Sequence, residues 1–133
     1  MDNVVNTMNQ ISLYIQDKLI EINGVRPELD IDRDGNAYYL ILFWNDTLFI
    51  SGDYEIHIII PYDSDKPYEI FFKFYDHHRP IGRYGIIEPY IYNYTVHPLR
   101  IYDWIDDFVD SLFYGKVLSR IDYRNLERDN LEL

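Results

Sequence analysis

Near residue 29 the spacing of apolar side chains changes from three-and-four to two, and that change divides the chain into a helical part and a sheet. Before it, Val4, Met8, Ile11, Ile15, Leu19 and Ile22 recur at helical spacing. Asp2 or Asn3 can cap this helix, and Asn23-Gly24 ends it. Gln10, Asp17, Lys18 and Glu21 fall on its outward face. After the change, Leu29 and Ile31 alternate with Asp30 and Asp32, and Asp34-Gly35-Asn36 is a hairpin signal. Ala37 to Trp44 reads as a long strand, so apolar that cover on both faces is expected for part of its length. Tyr54, Ile56, Ile58 and Ile60 then point one way, and Glu55, His57 and Ile59 the other. Tyr68, Ile70, Phe72 and Phe74 form the matching inner set of a further strand. Short connections between successive strands predict a four-stranded antiparallel meander.

Past Asp76 the pattern becomes a polar loop, His77 to Gly85, followed by a short extended piece, Pro89 to Val96, rich in tyrosine. His97-Pro98 precedes a second helix with Ile101, Ile105, Phe108 and Leu112 as its buried stripe. Asp103, Asp106, Asp107 and Asp110 are expected on its outer, acidic face. Residues 116–133 read as an extending charged helix, with Leu118, Ile121 and Leu126 as contacts. The fold class is α+β, with helices on one face of an antiparallel sheet and residues 1–133 in a single domain.

Composition narrows the function. The net charge of −11 argues against nucleic acid, whose phosphates require Lys and Arg, and favours a basic protein partner. No stretch approaches the roughly 18 apolar residues of a membrane span. The absence of cysteine removes disulfides and thiol chemistry and fits a cytoplasmic home.

The order of motifs resembles the ubiquitin-conjugating-enzyme (UBC-like) fold. Thr47-Leu48-Phe49-Ile50-Ser51-Gly52 leads into a strand ended by Pro61. Pro67, His78-Arg79-Pro80-Ile81 and Gly85-Ile86-Ile87 follow in turn. Glu88 stands where active members carry their cysteine. Glu88-Pro89-Tyr90, His97-Pro98, Trp104-Ile105 and Val117-Leu118-Ser119-Arg120 are similar to the catalytically inactive conjugating-enzyme variant (UEV) domains of the ESCRT-I type. The resemblance implies a non-catalytic domain, not an enzyme, that recognises ubiquitin, a ubiquitin-like protein or a proline-containing peptide, or that orients an active conjugating enzyme. It implies a ubiquitin-binding tongue at Asp32, Arg33, Asp34 and Gly35 and a peptide groove lined by Phe49, Tyr54, Val117, Leu118 and Ser119. His78, Pro80 and Glu88 would form the vestigial active-site loop. Core packing is the competing role for Phe49 and Tyr54. The chain departs from active relatives in keeping only Pro67 of their turn prolines and in lacking the His-Pro-Asn triplet.

Other constellations point elsewhere. Asp30, Asp32, Asp34 and Gly35 begin a calcium-loop pattern, but Ile41 stands where a bidentate glutamate is needed. His57, His77, His78 and His97 lack zinc spacing, and no nucleophile turn frames a Ser/His/Asp set. Neither a metal nor a cofactor is expected. The alternative to a UEV-like reader is an acidic inhibitor, such as an immunity or viral protein, that occupies a basic site on a partner. Asp103, Asp106, Asp107 and Asp110 are its expected surface.

Overall fold

The computed structural model describes residues 2–46, 51–63, 65–77 and 89–113. Its elements in chain order are α1 (Asp2–Asn23), β1 (Glu28–Arg33), β2 (Ala37–Asp46), β3 (Gly52–Pro61), β4 (Tyr68–Asp76), β5 (Tyr90–Val96) and α2 (Ile101–Phe113). The helix stripe does what its spacing predicts. Met8, Ile11, Ile15 and Leu19 are buried, and Val4 and Ile22 pack against the same core. Gly24 adopts φ 70°, and its amide donates to the Ile20 carbonyl at 2.8 Å, which ends α1 in a left-handed cap. Gln16, itself buried, donates to the Pro27 carbonyl at 3.1 Å and ties the chain entering β1 to the helix.

Among the described residues the sheet is an antiparallel meander of five strands in chain order, not four. The tyrosine-rich piece pairs with β4 from Tyr68↔Val96 to Phe74↔Tyr90 and is a full strand. Its apolar content is carried by tyrosines, so the period-two signal is weak in sequence. On the sheet, Tyr90 and Val96 are buried, and Tyr92 and Tyr94 pack on the core.

Both helices lie on one face. There Leu40, Leu42 and Trp44 of β2, Tyr54 to Ile60 of β3 and Ile70 to Phe74 of β4 meet Ile101, Ile105, Phe108, Val109 and Leu112 of α2 in one cluster. Aromatic rings fill it edge and face: Phe72 meets Phe108 at 5.0 Å and 70°, and Trp104 stacks on Phe108 at 4.9 Å. Burial raises the Tyr94 phenol far above its usual range. His97 starts the second helical segment, its Nδ1 accepting from the Leu99 amide at 3.1 Å. Pro98 occupies the first position of the 3₁₀ turn Pro98–Arg100 that leads into α2.

The expected acidic outer face of α2 divides in two. Lys18, placed on the outward side of α1 by its spacing, lies between the helices and reaches Asp106 at 3.1 Å and Asp110 at 3.4 Å. Tyr14 donates to Asp106 at 2.6 Å. The Tyr14 hydroxyl, with Lys18, holds the Asp106 carboxyl below its usual range. Only Asp103 and Asp107 stay fully outward. Two of the four aspartates therefore clasp α1 to α2.

Candidate functional site

The face of the sheet away from the helices is the candidate site. Register places its residues in rows. Asp32, Tyr39, Ile59, Glu69 and Thr95 form one row, and Asp30, Ile41, His57, Phe71 and Asn93 the next. Glu28, Phe43, Glu55, Lys73 and Ile91 form the third. Ile41, Ile59 and Phe71 are half-buried by their neighbours, while Phe43 and Ile91 are exposed. The expectation that β2 would be covered on both faces is thus corrected: among the described residues no element lies over this side. The reason is topological, since a meander needs no crossover and both helices fall on the other face.

Two depressions open on it. One of about 380 Å³ is bounded by Asp32, Tyr39, Ile41, His57, Ile59 and Phe71. The other, about 540 Å³, lies towards the far end of β2 and β3 between Arg26, Glu28, Phe43, Asp53, Glu55 and Tyr75. Carboxylates thus border an apolar centre. His57 on this face contacts Glu55 at 3.2 Å and is paired with an acid.

The tongue residues sit at the β1–β2 turn, all exposed. Asp34 builds that turn. Its Oδ1 accepts from the amides of Asn36 at 2.7 Å and Ala37 at 3.0 Å, and its Oδ2 accepts from the Tyr39 hydroxyl. The Tyr62 hydroxyl donates to the Asp34 carbonyl at 2.6 Å. The Tyr39 hydroxyl and the two amides hold the Asp34 carboxyl below its usual range, and Asp34 in turn raises the Tyr39 phenol. The calcium-like spacing has the same origin. Asp30 and Asp32 share the open face, while both Asp34 oxygens are engaged by the turn. Among the described residues no cluster of His, Asp and Glu is placed to hold a metal ion.

Tyr54, expected either in the groove or in the core, packs into the core. It is 1% exposed, stacks on Trp44 at 5.2 Å and lies 4.8 Å from the Phe74 ring. Its inward register puts it in the core. Phe49, Val117, Leu118 and Ser119 of the proposed groove lie outside the described residues, as do His78, Pro80 and Glu88 of the proposed loop and the segment 116–133.

One constellation set aside in the sequence does assemble. Ser51 Oγ lies 3.1 Å from His77 Nδ1, and His77 Nε2 lies 3.3 Å from Asp53 Oδ2. Asp53 Oδ1 accepts from Asn45 Nδ2 at 2.8 Å. Such distances suit a nucleophile, base and orienting acid. The ladder accounts for them more simply. His77 N donates to Ser51 O at 3.0 Å, continuing the β3–β4 pairing, and Asp53 follows Ser51 by two residues on the same face. The His77 and Asp53 side chains are 35% and 55% exposed, and neither Ser51 nor His77 lines the adjoining groove. The set closes the strand ends. Comparison of the chain with protein-family models, curated proteins and solved structures finds no match.

Proposed function

We propose that this protein is a non-catalytic binding domain that holds a basic protein partner on the open face of its sheet. The observation that supports it is the apolar centre at Ile41, Ile59 and Phe71, bordered by Glu28, Asp30, Asp32, Glu55 and Glu69 and left uncovered among the described residues. Half-buried apolar side chains left open on one side suit an interaction site, and acidic borders on a chain of net charge −11 steer a cation-rich partner to it. This is the inhibitor-like role, moved from the acidic side of α2 to the sheet, because Asp106 and Asp110 are engaged by Lys18. The test is an NMR titration of the labelled chain with an amphipathic peptide of lysine and leucine. Shifts at Ile41, His57, Ile59 and Phe71 are expected. The double variant Glu55→Lys/Glu69→Lys should weaken binding by about tenfold or more at low salt. Shifts confined to the helices, or none at all, would remove the proposal.

A second reading keeps the resemblance to UEV domains, with the tongue contacting ubiquitin. Supporting it is the exposed hairpin tip at Asp32–Gly35, held in one shape by the Asp34 bonds. Asp34→Lys would break that turn whatever the hairpin binds. Arg33→Glu is therefore the cleaner variant for a ubiquitin titration, and unchanged shifts on adding ubiquitin would dispose of the tongue.

A further inference from the structure

Among the described residues β1 is the edge strand of the sheet, and that edge says what shape the partner has. β1 is bonded to β2 on one side, and its whole length is exposed. Asp34 N donates to Ala37 O at 3.1 Å, which fixes the phase of the ladder. Bonded and non-bonded pairs alternate in an antiparallel ladder. Asp32 and Asp30 therefore turn their amides and carbonyls towards β2, while Leu29, Ile31 and Arg33 turn theirs outwards, where the Arg33 amide donates to Asp32 Oδ1 at 2.8 Å. Side chains alternate as well. Leu29 and Ile31 lie on the helix side, opposite Leu42 and Leu40, yet are 38% and 40% exposed. Glu28, Asp30 and Asp32 lie on the open face. An apolar row on one side of a free edge and a carboxylate row on the other match a strand whose residues alternate apolar and basic.

We infer that β1 receives an extended segment of the partner, with Lys or Arg alternating with apolar residues, as a sixth strand of the sheet. The inference rests on the binding role proposed above and specifies its mode. Main-chain bonds to Leu29, Ile31 and the Arg33 carbonyl supply affinity, and the alternating side chains supply specificity. Charge decides between occupants. A second copy paired β1 to β1 would set Glu28, Asp30 and Asp32 against the same carboxylates, and like charges across a ladder are unfavourable. Edge charges commonly prevent pairing. Here all three on the open face have one sign, which disfavours self-association and admits a basic strand.

The experiment uses the full chain and two peptides of one composition, Lys-Val-Lys-Val-Lys-Val-Lys and Lys-Lys-Lys-Lys-Val-Val-Val. The alternating peptide is expected to bind at least about tenfold more tightly and to protect the Leu29 and Ile31 amides from hydrogen exchange. Ile31→Pro removes an outward N–H and no β1–β2 bond, a place where sheets tolerate proline. It should abolish the preference for the alternating peptide. Equal binding of both peptides, unaffected by Ile31→Pro but lost in Glu55→Lys/Glu69→Lys, overturns edge pairing and leaves face binding intact. No binding of either peptide removes both. A concentration-dependent dimer broken by Ile31→Pro would put a second copy on the edge and also overturn the assignment. Should Ile31→Pro fail to fold, exchange protection in the unaltered chain decides alone: its presence supports the sixth strand and its absence excludes it.

Discussion

The two faces of this sheet are built by the same strands and differ in what lies above them. Phe72, on the helix side, is fully buried against Phe108. Phe71, its neighbour in sequence, is half-buried on the face that no described element covers. Alternation alone puts apolar side chains on both sides of β2, β3 and β4. Cover makes one side a core, and the other stays open among the described residues. The difference teaches that alternation puts apolar side chains on both faces of a strand, and that only what packs above them decides which become core.

The comparison breaks most visibly under alanine substitution. Phe72→Ala should lose about 3–5 kcal/mol, the usual range for emptying a buried phenylalanine site, and Phe71→Ala less than about 1 kcal/mol. Denaturant melts of the two variants measure this. Equal losses would show that the outer face is core as well. The glycines sharpen it at the next scale. A Cβ on Gly52 would meet the Phe74 ring at 2.4 Å and the Tyr75 carbonyl at 2.5 Å, whereas nothing lies within 4 Å of one on Gly35. Gly52→Ala should therefore destabilise by about 1–3 kcal/mol, as overpacking does, and Gly35→Ala by no more than about 0.5 kcal/mol. Thermal melts that rank them the other way would contradict the close approach of β3 to β4.

The smallest effect concerns pH at the edge of the outer face. Asp34 is depressed chiefly by the Tyr39 hydroxyl, so its contribution is complete above the ordinary aspartate pKa of about 3.9 and fades as pH falls through the lower folded value. Tyr39 is raised, chiefly by Asp34. Its contribution is complete below about pH 10 and fades as pH rises through the higher folded value. Tyr39→Phe should thus lower Tm slightly between those limits and converge with the unaltered chain beyond them. A constant difference from acid to alkali would mean that the hydrogen bond contributes nothing.

Much of the fold was legible in the chain because periodicity and turn chemistry are local. The stripe from Met8 to Leu19, the Asn23-Gly24 stop, the Asp34-Gly35-Asn36 hairpin and the inward set Tyr54 to Ile60 stand where spacing put them. β5 was underestimated because tyrosines, amphipathic by nature, blur the alternation of buried and exposed positions. Of the candidate site, Asp32 to Gly35 were placed at the hairpin between the first two strands, where they lie, but the engagement of Asp34 by Tyr39 and Tyr62 joins that turn to β2 and to the loop after β3. The outer rows of Glu28, Phe43, Glu55 and Ile91 were invisible for a similar reason. Each is ordinary alone, and only register sets them side by side.

Sequence by itself determined which side chains can share a face, because the 3.6 and 2.0 periods follow from backbone geometry. It also determined the charge that any partner must answer. Tertiary structure alone decided that both described helices lie on one side, that Lys18 draws Asp106 and Asp110 out of the acidic surface, and that no described strand pairs with the outer edge of β1. Those outcomes depend on where whole elements come to rest, and packing sums contributions from residues far apart in the chain.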